Sequence, residues 1–168
     1  MIDLDERPAE QTCPVHYSLR MAKEFAGSAV IDRPIEDVFA FLAAGTNDPK
    51  FSPRVQDIRK TTEGPVGVGT VFESSVKDAG MKTGRTFELT AFEPPTTIRW
   101  TERSKNLVTV PDGGYDLERV SDTKTKMTIR NTFEGHGFGK LILGFALKAA
   151  GKDAPAFAQR IKAAVEAS

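Results

Sequence analysis

The chain has 168 residues, 39% of them hydrophobic, and 23 Lys+Arg against 23 Asp+Glu leave it neutral at pH 7. That apolar share suits one globular domain, which at this length buries roughly 70% of its unfolded surface without disulfides or a structural metal. The zero charge balance argues against the broad basic face that nucleic acid or an anionic membrane requires. Cys13 is the only cysteine, so no intramolecular disulfide forms, and with His16 and His136 as the only histidines a Cys/His zinc cluster is excluded.

Residues 1 to 20 carry two prolines, many charges and no helical or alternating period, which predicts a flexible leader ahead of one domain over 21 to 168. Cys13 and His16 lie close together there, but the leader offers them no further ligands for a metal. No stretch approaches the roughly 18 consecutive apolar residues of a membrane span, and the first thirty residues lack the basic start and apolar run of a secretory signal. The expectation is a cytoplasmic protein.

Residues 25 to 31, FAGSAVI, suit a strand, and Asp32-Arg33-Pro34 then provides an N-cap and an early helical proline. Ile35, Val38, Phe39 and Leu42 recur on one helical face before Gly45. Asp48-Pro49 and Ser52-Pro53 permit only a short turn or helix. The period then becomes two, with strands predicted at 55 to 62, 70 to 77, 82 to 93, 97 to 104, 114 to 120 and 124 to 134. The separators GPVGVG, DAG, EPP, PDGG and SDT supply the Gly, Pro and Asp that chain reversal needs. LVTV at 107 to 110 could extend either flanking strand. From Phe138 to Ser168, Leu141, Ile142, Phe145, Phe157, Ile161 and Val165 fall at helical spacing, with Gly151, Asp153 and Pro155 predicting a kink or restart near the middle.

Strand, two helices, a six-strand meander and a long C-terminal helix together resemble the α+β helix-grip fold of the SRPBCC or START-like superfamily, which includes polyketide cyclase/dehydrases and lipid-transfer domains. AVIDRPIEDVFAFLA resembles that family's strand-to-helix passage, PVGVGTVF its glycine turn into the third strand, and FELTAFEPPTTIRWTE its fourth and fifth strands. One departure is visible: Phe51 stands where the family often has a tryptophan after the second helix. The resemblance implies a curved antiparallel sheet of about seven strands wrapped around the last helix. Between them it implies a cavity for an apolar or amphipathic small molecule.

Strand alternation gives an independent guess at the cavity wall. In 82 to 93 the odd positions Phe87, Leu89 and Ala91 are apolar, which also turns Arg85 inward; in 97 to 104, Ile98 and Trp100 bring Glu102 to the same face. Arg85 and Glu102 then lie toward one end, and a partly buried charge needs an opposite partner. They are expected to pair, with charge reversal at both positions restoring what either single reversal loses. The alternative is that both long side chains curl to the rim and stay solvated. Ser74 lies on the inward face of strand 70 to 77. Tyr115 shares a face with Leu117, and Met127, Asn131 and Phe133 share one with Ile129. Asn131 and Tyr115 are each either satisfied core groups or ligand contacts. Leu141 and Phe145 are expected to face the wall from the helix.

The segment Glu134 to Lys140 fails the phosphate-loop pattern, because Glu134 occupies its first glycine and Leu141 its hydroxyl position. His136 is the one imidazole outside the leader, hence the acid-base candidate by elimination or simply a solvated loop residue. No nucleophile elbow, H-E-x-x-H or dinucleotide glycine motif occurs, so no cofactor is expected. Three readings stay open. One is a binding protein for a polyketide, isoprenoid or lipid; the second is a cofactor-independent cyclase or dehydratase using Glu102, Tyr115, Arg85 or His136; the third is an interaction module with a filled core. Its oligomeric state, monomer or homodimer, is also open.

Overall fold

The computed structural model describes residues 23–78 and 81–168; the leader expected at 1 to 20, with Cys13 and His16, lies outside the described residues, as does most of the turn expected at 78 to 80. In chain order come β1 (Lys23–Ile31), α1 (Ile35–Ala43), a single 3-10 turn (Asp48–Lys50), β2 (Val55–Lys60), β3 (Val71–Asp78), β4 (Met81–Glu93), β5 (Thr97–Glu102), β6 (Val108–Ser121), β7 (Lys124–Gly135) and α2 (Gly139–Glu166). The strands form one antiparallel sheet in the order β1-β7-β6-β5-β4-β3-β2. β2 to β7 are a meander, and β1 joins its last strand. This is the helix-grip α+β fold, with the long helix lying on the sheet.

α1 buries Ile35, Val38, Phe39, Phe41 and Leu42. Pro34 is its N-cap and makes no capping bond. The Asp32 carboxylate, expected there, instead takes the Lys124 and Lys162 ammonium groups at 2.6 and 3.0 Å. The second helix shrinks to the one turn that two nearby prolines allow. LVTV resolves toward β6, which begins at Val108.

A bulge corrects one parity expectation. Leu89 pairs with Trp100, but the register slips before Ala91, which pairs with Arg99, while Phe92 pairs with Ile98. The extra residue reverses the faces, so Phe92 turns inward and meets Phe39 edge to face at 5.2 Å between ring centres. Ala91 leaves the wall.

α2 runs unbroken through Pro155, where a kink or restart was expected, so no restart occurs. The residue four earlier is Gly151, and both are exposed, so the carbonyl that loses its partner is open to water. The helix packs chiefly on β1 and β7, with a narrower contact to β6. Two glycines permit its closest approaches. A side chain at Gly27 would strike the Ala154 carbonyl, and one at Gly139 would strike the Leu107 carbonyl. The C-terminal half is tied down further by Arg160 Nε to the Phe51 carbonyl (3.3 Å), Lys162 Nζ to the Val30 carbonyl (2.7 Å) and Arg33 to the Glu166 carbonyl (2.8 Å). Ile31, Val38, Met127, Ile161 and Val165 close the core at that end, each fully buried.

Candidate functional site

Cross-strand pairing arranges the inner face in rows. One runs Gly27, Ile129, Tyr115, Ile98, Phe92; the next Phe25, Asn131, Gly113, Trp100, Leu89; beyond it Glu102, Phe87 and Phe72, then Arg85 and Ser74. Met127 and Leu89 are solid core at 0% and 5% exposed. Phe87, Trp100 and Phe133 are only half-buried. The wall is thus aromatic but incompletely covered, at Phe87 and Trp100 on its β4–β5 side and at Phe133 on β7.

Polar atoms are set into this wall. The Asn131 Oδ1 and Ser74 Oγ atoms are buried with no hydrogen-bond partner. A side chain at Gly113 would overlap both Asn131 Oδ1 and the Trp100 indole nitrogen, so those two atoms converge above the glycine. Trp100 and Tyr115 meet edge to face with ring centres 5.0 Å apart. Among the described residues the Tyr115 hydroxyl has no hydrogen-bond partner. Burial, and then the Asp48 charge, push its pKa well above the ordinary phenol range.

Arg85 and Glu102 do pair, Nη1 to Oε2 at 2.8 Å, with the Glu102 side chain fully buried and that of Arg85 19% exposed. The same Glu102 oxygen accepts the Val110 backbone N–H at 2.9 Å, and Oε1 accepts the Ser104 hydroxyl at 2.5 Å and the Asn106 amide at 3.1 Å. Four donors saturate the carboxylate. Glu102 therefore braces β4, β5 and β6 against one another and has no free lone pair directed at a substrate proton. Arg85 retains further N–H groups.

Two predicted positions fall away from this interior. His136 is exposed on the β7–α2 connection, its Nε2 2.8 Å from Thr109 Oγ1. Leu141 is 72% exposed because the first turn of α2 precedes the helix's main contact with the sheet. The Phe145 side chain lies outside the described set.

One group went unread in the sequence. Asp48 opens the 3-10 turn, where its carbonyl accepts the Phe51 and Ser52 N–H groups and the neighbouring Asn47 amide holds the Phe41 carbonyl at 2.8 Å. Its carboxyl has no hydrogen-bond partner among the described residues. Burial alone pushes its pKa up to about 7. Among the described residues no three His, Cys, Asp or Glu side chains gather as a metal ion would need, and no helix is long and apolar enough to cross a membrane.

This sheet and helix coincide with a family model described as polyketide cyclase / dehydrase and lipid transport, matched over residues 22–166. The chain belongs to that family. No curated protein matches the sequence significantly. Among solved structures it is similar to the Zhui aromatase/cyclase from Streptomyces sp. R1128, with TM-score 0.69, 14% identity and coverage of 85% of this chain and 93% of that one. A START superfamily protein from Mycobacterium smegmatis gives TM-score 0.64 at 10% identity, covering 86% and 94%. The di-domain ARO/CYC StfQ of the steffimycin biosynthetic pathway gives 0.69 at 15%, covering 87% of this chain and 50% of that one. At such identities the likeness is one of fold.

Proposed function

We propose that the chain binds a small hydrophobic or amphipathic metabolite, of polyketide, isoprenoid or lipid type, between the inner sheet face and α2. The observation that carries this reading is that two of the three orphaned buried polar atoms, Asn131 Oδ1 and Ser74 Oγ, lie on the inner sheet face with half-covered aromatic rings, the third, Ser75 Oγ, alternating to the other face. A buried polar group without a partner costs about 1–3 kcal/mol, and a ligand hydroxyl that donates to it removes that cost. Phe87, Trp100 and Phe133 supply the apolar area that holds the rest of such a molecule. The family description, with both cyclases and lipid transport in its range, supports the same ligand class.

Native mass spectrometry of the purified protein, then organic extraction beside a mock purification, tests this. A reproducible small molecule that is depleted from a folded Asn131→Leu variant is the expected result. Protein that is empty and also rejects apolar dyes refutes it and favours a filled core used for protein contacts.

A second reading, a cofactor-independent cyclase or dehydratase, draws on the unpartnered Tyr115 hydroxyl in the interior. With Glu102 saturated and His136 on the surface, Tyr115 and Arg85 are what remain of the predicted set, and Arg85 is committed in part to Glu102. Loss of turnover in Tyr115→Phe with ligand affinity retained supports catalysis; a parallel fall in both argues for binding alone.

A further inference from the structure

We propose that the head of α2 is a docking surface for an anionic lipid bilayer, with Phe138, Leu141 and Ile142 entering among the lipids and lysines of the same helical face meeting the headgroups. This surface is independent of the ligand site.

The buried residues Ala154, Ala158, Ile161 and Val165 mark the side of α2 that lies on the sheet. At about 100° per residue, positions 138, 141 and 142 fall on the opposite side. There Phe138 is 80% and Leu141 72% exposed, and Ile142 is half exposed. Leu107 adjoins them from the connection between β5 and β6. Its carbonyl accepts the His136 N–H at 2.8 Å and is the seat of Gly139, while its own side chain is more than half exposed. Single exposed hydrophobics are ordinary on a protein surface, but four on two abutting segments form a patch that marks an interaction site.

Charge selects the occupant. Residues 135 to 152 contain no Asp or Glu but include Lys140, Lys148 and Lys152, and residues 103 to 111 contain no Asp or Glu but include Lys105. All four lysines are exposed, and none forms an ion pair with another described residue. By the same helical spacing Lys148 and Lys152 continue the stripe that Phe138, Leu141 and Ile142 begin. The neutral balance of the whole chain excludes a broad basic face, yet here apolar side chains and unpaired cations share one stripe. That combination is what holds a helix in the plane of an anionic bilayer, apolar side chains below the headgroups and lysines level with them. A second copy of the chain would set these lysines against their own kind. Four apolar side chains also fall far short of the roughly 20–30 residues a side of a stable protein interface.

Cosedimentation of the full chain with vesicles of phosphatidylcholine alone, and of equimolar phosphatidylcholine and phosphatidylserine, tests the proposal. Wild type should bind the anionic vesicles about tenfold or more tightly than the neutral ones, and added salt should weaken that binding. Phe138→Ser with Leu141→Ser should weaken it by about tenfold or more, and Lys148→Glu with Lys152→Glu by about fivefold or more per lysine. Val68→Ser, at a similarly exposed hydrophobic between β2 and β3, should leave it unchanged. All of these side chains face solvent, so thermal midpoints should stay at the wild-type value. In Phe138→Trp, tryptophan emission should shift to the blue with anionic vesicles and not with neutral ones. Wild type that sediments with neither vesicle overturns the docking surface and leaves the ligand site standing. Binding that survives the paired serine changes, or that Val68→Ser abolishes equally, overturns it too. So does a dimer in sedimentation velocity that Leu141→Ser dissociates, which would assign the patch to a second copy.

Discussion

The Arg85–Glu102 brace makes the sharpest energetic prediction. Removing one partner of a buried ion pair costs about 3–5 kcal/mol, because the other charge is stranded. In Arg85→Ala the Glu102 carboxylate keeps its bonds to Val110 N–H, Ser104 and Asn106, which places the loss at about 3 kcal/mol. Glu102→Ala strands four donors at once, one of them a backbone N–H that cannot turn to water, so its loss is larger, about 4–5 kcal/mol. Urea unfolding followed by circular dichroism measures both, and thermal midpoints should drop by about 6–12 °C for the Arg85 variant. Alternation alone predicts that exchanging the charges restores stability. The structure predicts otherwise, since an arginine at 102 brings only donors to three groups that need an acceptor. Arg85→Glu with Glu102→Arg should stay within about 1 kcal/mol of the worse single reversal. Recovery of most of the stability in the exchange, or a loss under about 1 kcal/mol in Arg85→Ala, would refute the brace.

Gly27→Val should destabilise by about 2–3 kcal/mol in the same assay, because its Cβ falls on the Ala154 carbonyl; wild-type stability would mean that α2 does not rest there. Asp48 should make stability fall with pH. Its folded-state pKa is raised from 3.8 to about 7, so the Asp48 contribution is greatest below pH 4 and is lost as pH climbs toward 7. Asp48→Asn should then gain on wild type above pH 7 and match it below pH 4, with the distance from 3.8 to about 7 bounding the gap at about 4 kcal/mol. Asp32 has the opposite sign. Hydrogen bonds and charge from Lys124 and Lys162 lower its pKa from 3.8 to about 2, so its stabilisation is present above pH 4 and is lost as pH falls toward 2. An NMR titration should place its midpoint near 2 and move it upward in Lys162→Ala.

Much of the fold was legible because turn chemistry and a two-residue period are local properties. The GPVGVG, EPP and SDT separators fall at or between strand ends, whereas PDGG, expected as a turn, lies inside β6 where its register shifts against β7. Parity located Arg85, Glu102, Trp100, Tyr115 and Asn131 on one face for the same reason. It failed at Ala91, where a bulge depends on pairing with β5 and leaves no mark in the strand itself. The saturation of Glu102 was equally hidden. Three of its donors, Ser104, Asn106 and Val110, come from the stretch around residue 105, where the pattern was ambiguous, and they converge only when β5 and β6 pair. Asp48 looked like ordinary turn chemistry ahead of a proline, and nothing in the local sequence reports the desolvation that raises its pKa. The one available signal was its position three residues before the aromatic plug Phe51. His136 and Leu141 were chosen by residue type and helical spacing, neither of which reports where a helix first meets a sheet.

The two glycine seats of α2 also set a length. Gly139 rests on the Leu107 carbonyl and Ala154 on Gly27, so the helix stands like a beam on two supports fifteen residues apart. At 1.5 Å per residue the span between them is about 22 Å. A molecule lying under the helix must fit within that span or project past one of the supports. Moving a support along the helix, rather than widening the wall, is therefore how a chain of this fold would come to hold a longer or a shorter guest.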